Sequence, residues 1–130
     1  MDYQDDLKSL RKLLGAENTE TVEHFLAAFL ETLGERLSKT ERHLLGSQLP
    51  NEMKPMLMKR PEMEQYNLDE FYNRLAARAE MGYIQTVRWA KRCGEYLAVR
   101  VSAGELEQVA CSLGPQFRDL FAPREEGRHA

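Results

Sequence analysis

The sequence predicts an all-α fold: one domain, a helical bundle built from two tandem similar helical repeats packed with pseudo-twofold symmetry. Three observations predict it. Apolar residues recur at steps of three and four along most of the chain, the period of a helix face. Helix-start signatures, a Ser or Asn followed three residues later by Glu, recur between those stretches. An offset of 64 carries RLSKTERHLLGSQLPNEMKPML, Arg36 to Leu57, onto RVSAGELEQVACSLGPQFRDLF, Arg100 to Phe121.

Tyr3, Leu7, Leu10 and Leu14 share one helical face, and Asp2, Asp5 and Asp6 crowd its start, where carboxylates favour the positive end of the helix dipole. Gly15 stops this helix. Asn18 or Thr19 caps the next, whose stripe is Val22, Phe25, Leu26, Phe29, Leu30, Leu33 and Leu37. Ser38 opens a capping box with Glu41 over a helix carrying Leu44 and Leu45, which ends near Leu49-Pro50. A short helix bears Met53, Met56 and Leu57, and Pro55 keeps it to a turn or two.

Residues 58–66 read as a connector. Asn67 then starts a helix with Leu68, Phe71, Tyr72, Leu75 and Ala79 on one face. The helix from about Tyr83 turns Thr86, Trp89, Ala90, Cys93, Leu97 and Val101 inward. Ser102 and Glu105 form the second capping box, ahead of Leu106, Val109, Ala110 and Leu113. Pro115 begins a last short helix carrying Phe117, Leu120 and Phe121. Repeat one therefore spans about residues 3–57 and repeat two about 67–121, with a flexible tail expected over 122–130.

The offset of 64 pairs Ser38 with Ser102, Glu41 with Glu105, Leu45 with Val109, Met53 with Phe117 and Leu57 with Phe121. Upstream it pairs Leu7 with Phe71, Phe25 with Trp89 and Leu33 with Leu97, and slips by one where Leu10 answers Leu75. Cap answers cap and core answers core. The repeated motif reads as a structural corner: an Arg complements the negative end of one helix, and a Ser-x-x-Glu box starts the next. The order R-L-S-x-x-E, x-Q-L-P, R-V-S-x-G-E and a closing L-F, from about Tyr3 to Pro123, resembles the bacterial family catalogued as domain of unknown function 2267. The resemblance implies an all-α bundle of two similar halves and brings no catalytic residue, cofactor or substrate. Ser112 and Gly114, where the first half has Gln48 and Pro50, depart from its Q-L-P pattern.

Composition narrows the function. The net charge is −3, and dividing the chain after Arg60 leaves nine basic against ten acidic residues, then nine against eleven. Neither half carries the excess of cations that phosphate binding needs, so nucleic acid is not expected as a partner. No apolar run reaches a membrane span, and the acidic start lacks a signal region. Cys93 and Cys111 stand in no metal spacing and suit a reducing cytoplasm. His24, His43 and His129 form no E-x-x-H pair, so no metal or cofactor is expected.

Three groups remain as candidate sites. Arg74 and Arg78, with Arg88, Lys91 and Arg92 one helix later, can join into a basic patch around Trp89, set against the plainer reading of a solvated, salt-bridged face. Met58 and Met63 have no counterpart in the other half and mark a candidate apolar patch. Phe25, Trp89 and Cys93 mark a candidate cleft between the halves. The leading expectation is a non-catalytic cytoplasmic protein that associates with itself or with another protein. A small-ligand binder using the inter-half cleft is the alternative, a weak basic-patch regulator the third, and an enzyme the last.

Overall fold

The computed structural model describes residues 2–121, all of whose regular structure is helical. The expected tail, 122–130, and His129 with it, lies outside the described residues. The first helix, α1, runs Tyr3–Leu14; Asp2 caps it by accepting from the Gln4 and Asp5 amides, and Gly15 ends it at φ 69°. Helix α2, Thr19–Glu35, starts from the Asn18 side chain, which accepts from the Thr21 amide at 2.8 Å. Helix α3, Lys39–Gly46, follows Ser38. A 3-10 turn, Asn51–Met53, leads into α4, Lys54–Leu57.

The order then recurs. Helix α5, Leu68–Ala79, is capped by Asn67 and ends at Glu80, held at φ 55° in the left-handed region. Helix α6 is Tyr83–Arg100, α7 is Ala103–Leu113, and a 3-10 helix, Pro115–Phe121, closes the described chain. The cap pair Asp2 and Asn67 and the left-handed pair Gly15 and Glu80 are each 65 positions apart. The whole first helix is therefore displaced by one from the 64 expected, and Leu7 stands opposite Tyr72 instead of Phe71. The connection after it is one residue shorter the second time, which restores 64 at the caps Asn18 and Gly82.

Contacts between elements come in matched pairs. Helix α2 packs on α1, α4 and α5; α6 packs on α5, the closing 3-10 helix and α1. Thus α1 lies on the long helix of the second half, α5 lies on the long helix of the first, and α3 meets α7 between them. Ring packing ties the core together: Phe71 meets Phe29, Tyr72 and Phe117 edge-on at 6.1, 5.9 and 5.6 Å. Edge-to-face contacts of this kind add stability beyond area burial.

Two glycines set how closely the short helices approach. A Cβ on Gly34 would strike the Leu57 carbonyl oxygen, and one on Gly94 would strike that of Leu120. Gly34 and Gly94 are 60 positions apart, four fewer than the sequence offset. The closing 3-10 helix thus crosses α6 one turn nearer its start than α4 crosses α2. Backbone contact needs a glycine, and α6 has it at 94, with Ala98 at the equivalent of Gly34.

Candidate functional site

At the first corner the capping box is complete: Ser38 Oγ accepts from the Glu41 amide at 3.2 Å and Glu41 Oε1 accepts from the Ser38 amide at 2.9 Å. The second corner differs from the expected box. Ser102 Oγ accepts from the Glu105 amide at 3.2 Å, but the Ser102 amide donates across the molecule to Gln48 Oε1 at 2.6 Å. Glu41 also accepts from the Ser112 hydroxyl on α7. Burial, and then the charge of Glu41, raise the Glu105 carboxyl. The two corners thus interlock where α3 meets α7.

The five expected basic residues do not form one patch. Arg74 and Arg78 point from α5 onto α2 and are half-buried against Glu31 and Glu35, where burial rewards pairing over exposure. Arg88, Lys91 and Arg92 stay together on α6 and border a second groove of about 460 Å³ with Lys12 and Trp89. Lys91 faces Asp119 at 3.3 Å and Arg92 faces Glu95 at 2.8 Å. The expected cleft is likewise filled. Phe25 and Trp89 meet edge-on at 5.4 Å, and Cys93 is fully buried, which pushes its thiol well above the usual range. Met58 is half-buried and Met63 exposed, each within the connector.

The connector has a definite role. It lies along the seam between α2 and α5. Arg60 Nε donates to Glu31 Oε2 at 2.8 Å, and the Glu64 amide donates to the Glu35 carbonyl at 2.7 Å. The Tyr66 hydroxyl donates to Glu35 Oε1 at 2.7 Å and to the Thr32 carbonyl at 3.1 Å, while its ring lies 4.1 Å beneath the Arg74 guanidinium. Glu35 is 1 % exposed. Burial alone would raise its carboxyl, but Arg78, Tyr66 and Arg74 outweigh that and hold it at about 2.

The seam between α1 and α6 differs in chemistry at the positions that the sequence offset relates to the α2/α5 seam. Glu31, Thr32 and Glu35 on α2, with Arg36 just beyond its end, correspond to Glu95, Tyr96, Val99 and Arg100 on α6 at an offset of 64. Arg74 and Arg78 on α5 correspond to Ser9 and Leu13 on α1 at an offset of 65. Two long cations become short or apolar side chains, and a buried acid becomes Val99, which is 80 % exposed. The result is a groove of about 490 Å³ lined by these residues with Asp6, Leu10 and Lys12.

One polar cluster anchors the groove. Arg100 grips Asp6 through Nε at 2.8 Å and Nη2 at 2.6 Å, and the Tyr96 hydroxyl donates to Asp6 Oδ2 at 2.5 Å. Asp6 is 1 % exposed, and its carboxyl is lowered by the Arg100 hydrogen bonds, against burial, with Tyr96 adding to the effect. Every charged group there has a partner, so the cluster is a rigid wall with an apolar face beside it.

The sequence placed Asp6 among the acids that favour a helix start, and it does lie in the first turn of α1; its burial against Arg100 and Tyr96 is a partnership that reading did not include. Arg36 is corrected: its Nη2 donates to the Leu113 carbonyl at the end of α7, 2.6 Å away, instead of serving its own helix. The signal for Asp6 was its phase, since it falls beside Leu7 and Leu10 on the inward face of α1. Among the described residues no group of three metal-ligating side chains occurs and no helix is long and apolar enough to cross a membrane. A family model described as "Uncharacterized conserved protein (DUF2267)" matches residues 3–120. No curated protein matches the chain.

Proposed function

The chain belongs to the DUF2267 family, and from the two seams we propose that it is a non-catalytic protein-interaction module that takes an extended polypeptide segment in its α1/α6 groove. One observation carries the reading. The α2/α5 seam already holds a non-helical segment, the connector, through side chains and one backbone hydrogen bond. The α1/α6 groove likewise lies between a shorter and a longer helix and has an apolar floor, with Leu10, Leu13 and Val99 supplying contact area. Its polar wall is self-satisfied, which favours contact by shape and burial over chemistry on a substrate.

The groove also lies between the two halves, so the small-ligand alternative moves here from Phe25, Trp89 and Cys93. Its volume of about 490 Å³ favours an apolar ligand of modest size. The buried Cys93 and the partnered, exposed Cys111 fit a reducing cytoplasm, where we place the module's action.

Val99→Glu and Leu13→Glu test the reading, since each puts a charge on the floor, Val99 from an exposed position and Leu13 from a half-buried one beside the core. Size-exclusion with light scattering and co-purification should show association in the parent and its loss, by about tenfold or more, in both variants. Association that survives both substitutions removes the groove from consideration. Native mass spectrometry of freshly purified protein separates the alternatives: a retained small molecule favours the ligand reading.

A further inference from the structure

Resting on the reading that the α1/α6 groove takes a polypeptide segment, we propose that the segment belongs to a partner protein and is acidic at one end. Its apolar side chains lie on Leu13 and Val99, and its carboxylates lie among Lys12, Arg88, Lys91 and Arg92.

Two hollows make one furrow. The groove of about 490 Å³ and the basic one of about 460 Å³ share Lys12 and Leu13 as a common wall. Asp6 meets Arg100 at one end, and Gly15 stands with Gln85 and Arg88 at the other. Helix α1 therefore runs antiparallel to α6, and the furrow follows both. From Val99 back to Gln85 it extends about 21 Å along α6, the reach of roughly six extended residues.

The two ends differ in chemistry. Toward Val99 the floor is apolar, whereas Lys12, Arg88, Lys91 and Arg92 line the end toward Gln85, where no described carboxylate joins them in the wall. The fold does not demand these cations. At the offsets that relate the two seams, they correspond to Ala77, His24, Ala27 and Ala28. Lys12 and Arg88 are exposed, and among the described residues their side chains have no hydrogen bond or ion pair. Lys91 and its partner Asp119 are both exposed, and such a pair exchanges for another carboxylate at small cost. Carboxylates laid among these groups gain charge-assisted hydrogen bonds, while neighbouring apolar side chains leave water for Leu13 and Val99. A nucleic-acid strand suits the furrow poorly, because it carries a phosphate about every 3.4 Å along its whole length. Toward Val99 those phosphates would meet Asp6 and Glu95, whose charges already engage Arg100 and Arg92. A peptide charged at one end avoids that mismatch.

The test pans the full chain against a displayed library of random heptapeptides. Enriched peptides are then synthesised and titrated by the fluorescence of Trp89, which lines the furrow and is the chain's single tryptophan. They should combine Asp or Glu with Leu, Val, Ile or Phe. Lys12→Glu and Arg88→Glu, which remove no hydrogen bond or ion pair among the described residues, should leave melting unchanged and weaken binding by about tenfold each. Raising salt from about 0.05 M to about 0.5 M should weaken the parent's binding in the same direction. Enriched peptides without acidic residues overturn the inference, as does a single-stranded DNA of about ten nucleotides that displaces the peptide. Peptides that Val99→Glu releases but Lys12→Glu and Arg88→Glu do not sink this inference alone. No enrichment, or peptides that Val99→Glu leaves bound, removes the groove reading with it.

Discussion

Arg78 faces both carboxylate oxygens of Glu35 at 3.1 Å, a planar fork on a planar acid, buried between α2 and α5. The same guanidinium donates to Thr32 Oγ1 at 3.1 Å, so one side chain of the second half completes three polar atoms of the first. Removing one partner of such a pair leaves an uncompensated charge out of water, whereas removing both can be nearly neutral.

Arg78→Met should therefore destabilise by about 3 kcal/mol, and Glu35→Gln by less, since Gln keeps hydrogen-bonding capacity toward Tyr66 and Arg74. Urea unfolding of the two single variants and the double variant checks this. The double variant should be less destabilised than the sum of the singles. Strict additivity would remove Glu35 and Arg78 as an energetic unit.

Acid should weaken the same seam over a defined window. The folded Glu35 carboxyl is held at about 2 against an ordinary 4.5. A carboxyl lowered by folding contributes stability that is present in full above its unfolded value and is lost as pH falls toward the folded one. The stabilisation should fade between pH 4.5 and 2, and Glu35→Gln should flatten that part of the profile. Asp6, lowered by Arg100, adds in the same direction. Denaturant midpoints measured at half-unit pH steps decide it.

Gly34→Ala and Gly94→Ala should each cost about 2–3 kcal/mol. The added carbon in each case meets a carbonyl oxygen of the backbone, and a backbone atom has no rotamer by which to retreat. Gly104→Ala, on α7 with open space around its Cβ position, is the control and should be neutral or slightly stabilising. Thermal melts of the three variants suffice. A tolerated Gly94→Ala would mean that the closing 3-10 helix is free to move away from α6.

Ser38→Ala and Ser102→Ala should both lower the melting temperature, each by the equivalent of about 1 kcal/mol. Ser102→Ala leaves the Ser102 amide on Gln48, so Gln48→Ala should produce a comparable loss at the second corner and none at the first. Circular dichroism melts of the three check it. Unchanged melting in both serine variants would remove the corners as determinants of stability.

Much of the fold was readable because it is written in local chemistry. Asn18, Ser38, Asn67 and Ser102 announce helix starts within three residues of the groups they bond. Helical phase identified the buried faces of α1, α2, α5 and α6. The groove was not readable, because its content is a comparison between two seams that only the packing brings into correspondence. Arg74 and Arg78 look like surface cations in the sequence, and their burial depends on Glu31 and Glu35, some 43 residues earlier. Leu44 shows the limit of periodicity from the other side: it lies beside Leu45 in an amphipathic stretch and is 52 % exposed. Phe25 and Trp89, named with Cys93 as a cleft, meet edge-on, and aromatic side chains that meet so fill space and leave none for a cleft.

The crossing of α1 onto α6 and of α5 onto α2 turns residues 58–66 into a tether as well as a wedge. Helix α1 covers the long helix α6 and α5 covers the long helix α2, an arrangement that two separate molecules would reach only by colliding. Joined by nine residues, they find one another at a fixed, high local concentration, and the translational freedom that free partners surrender is never at stake. Dilution, which would pull apart two loose halves, leaves this fold untouched.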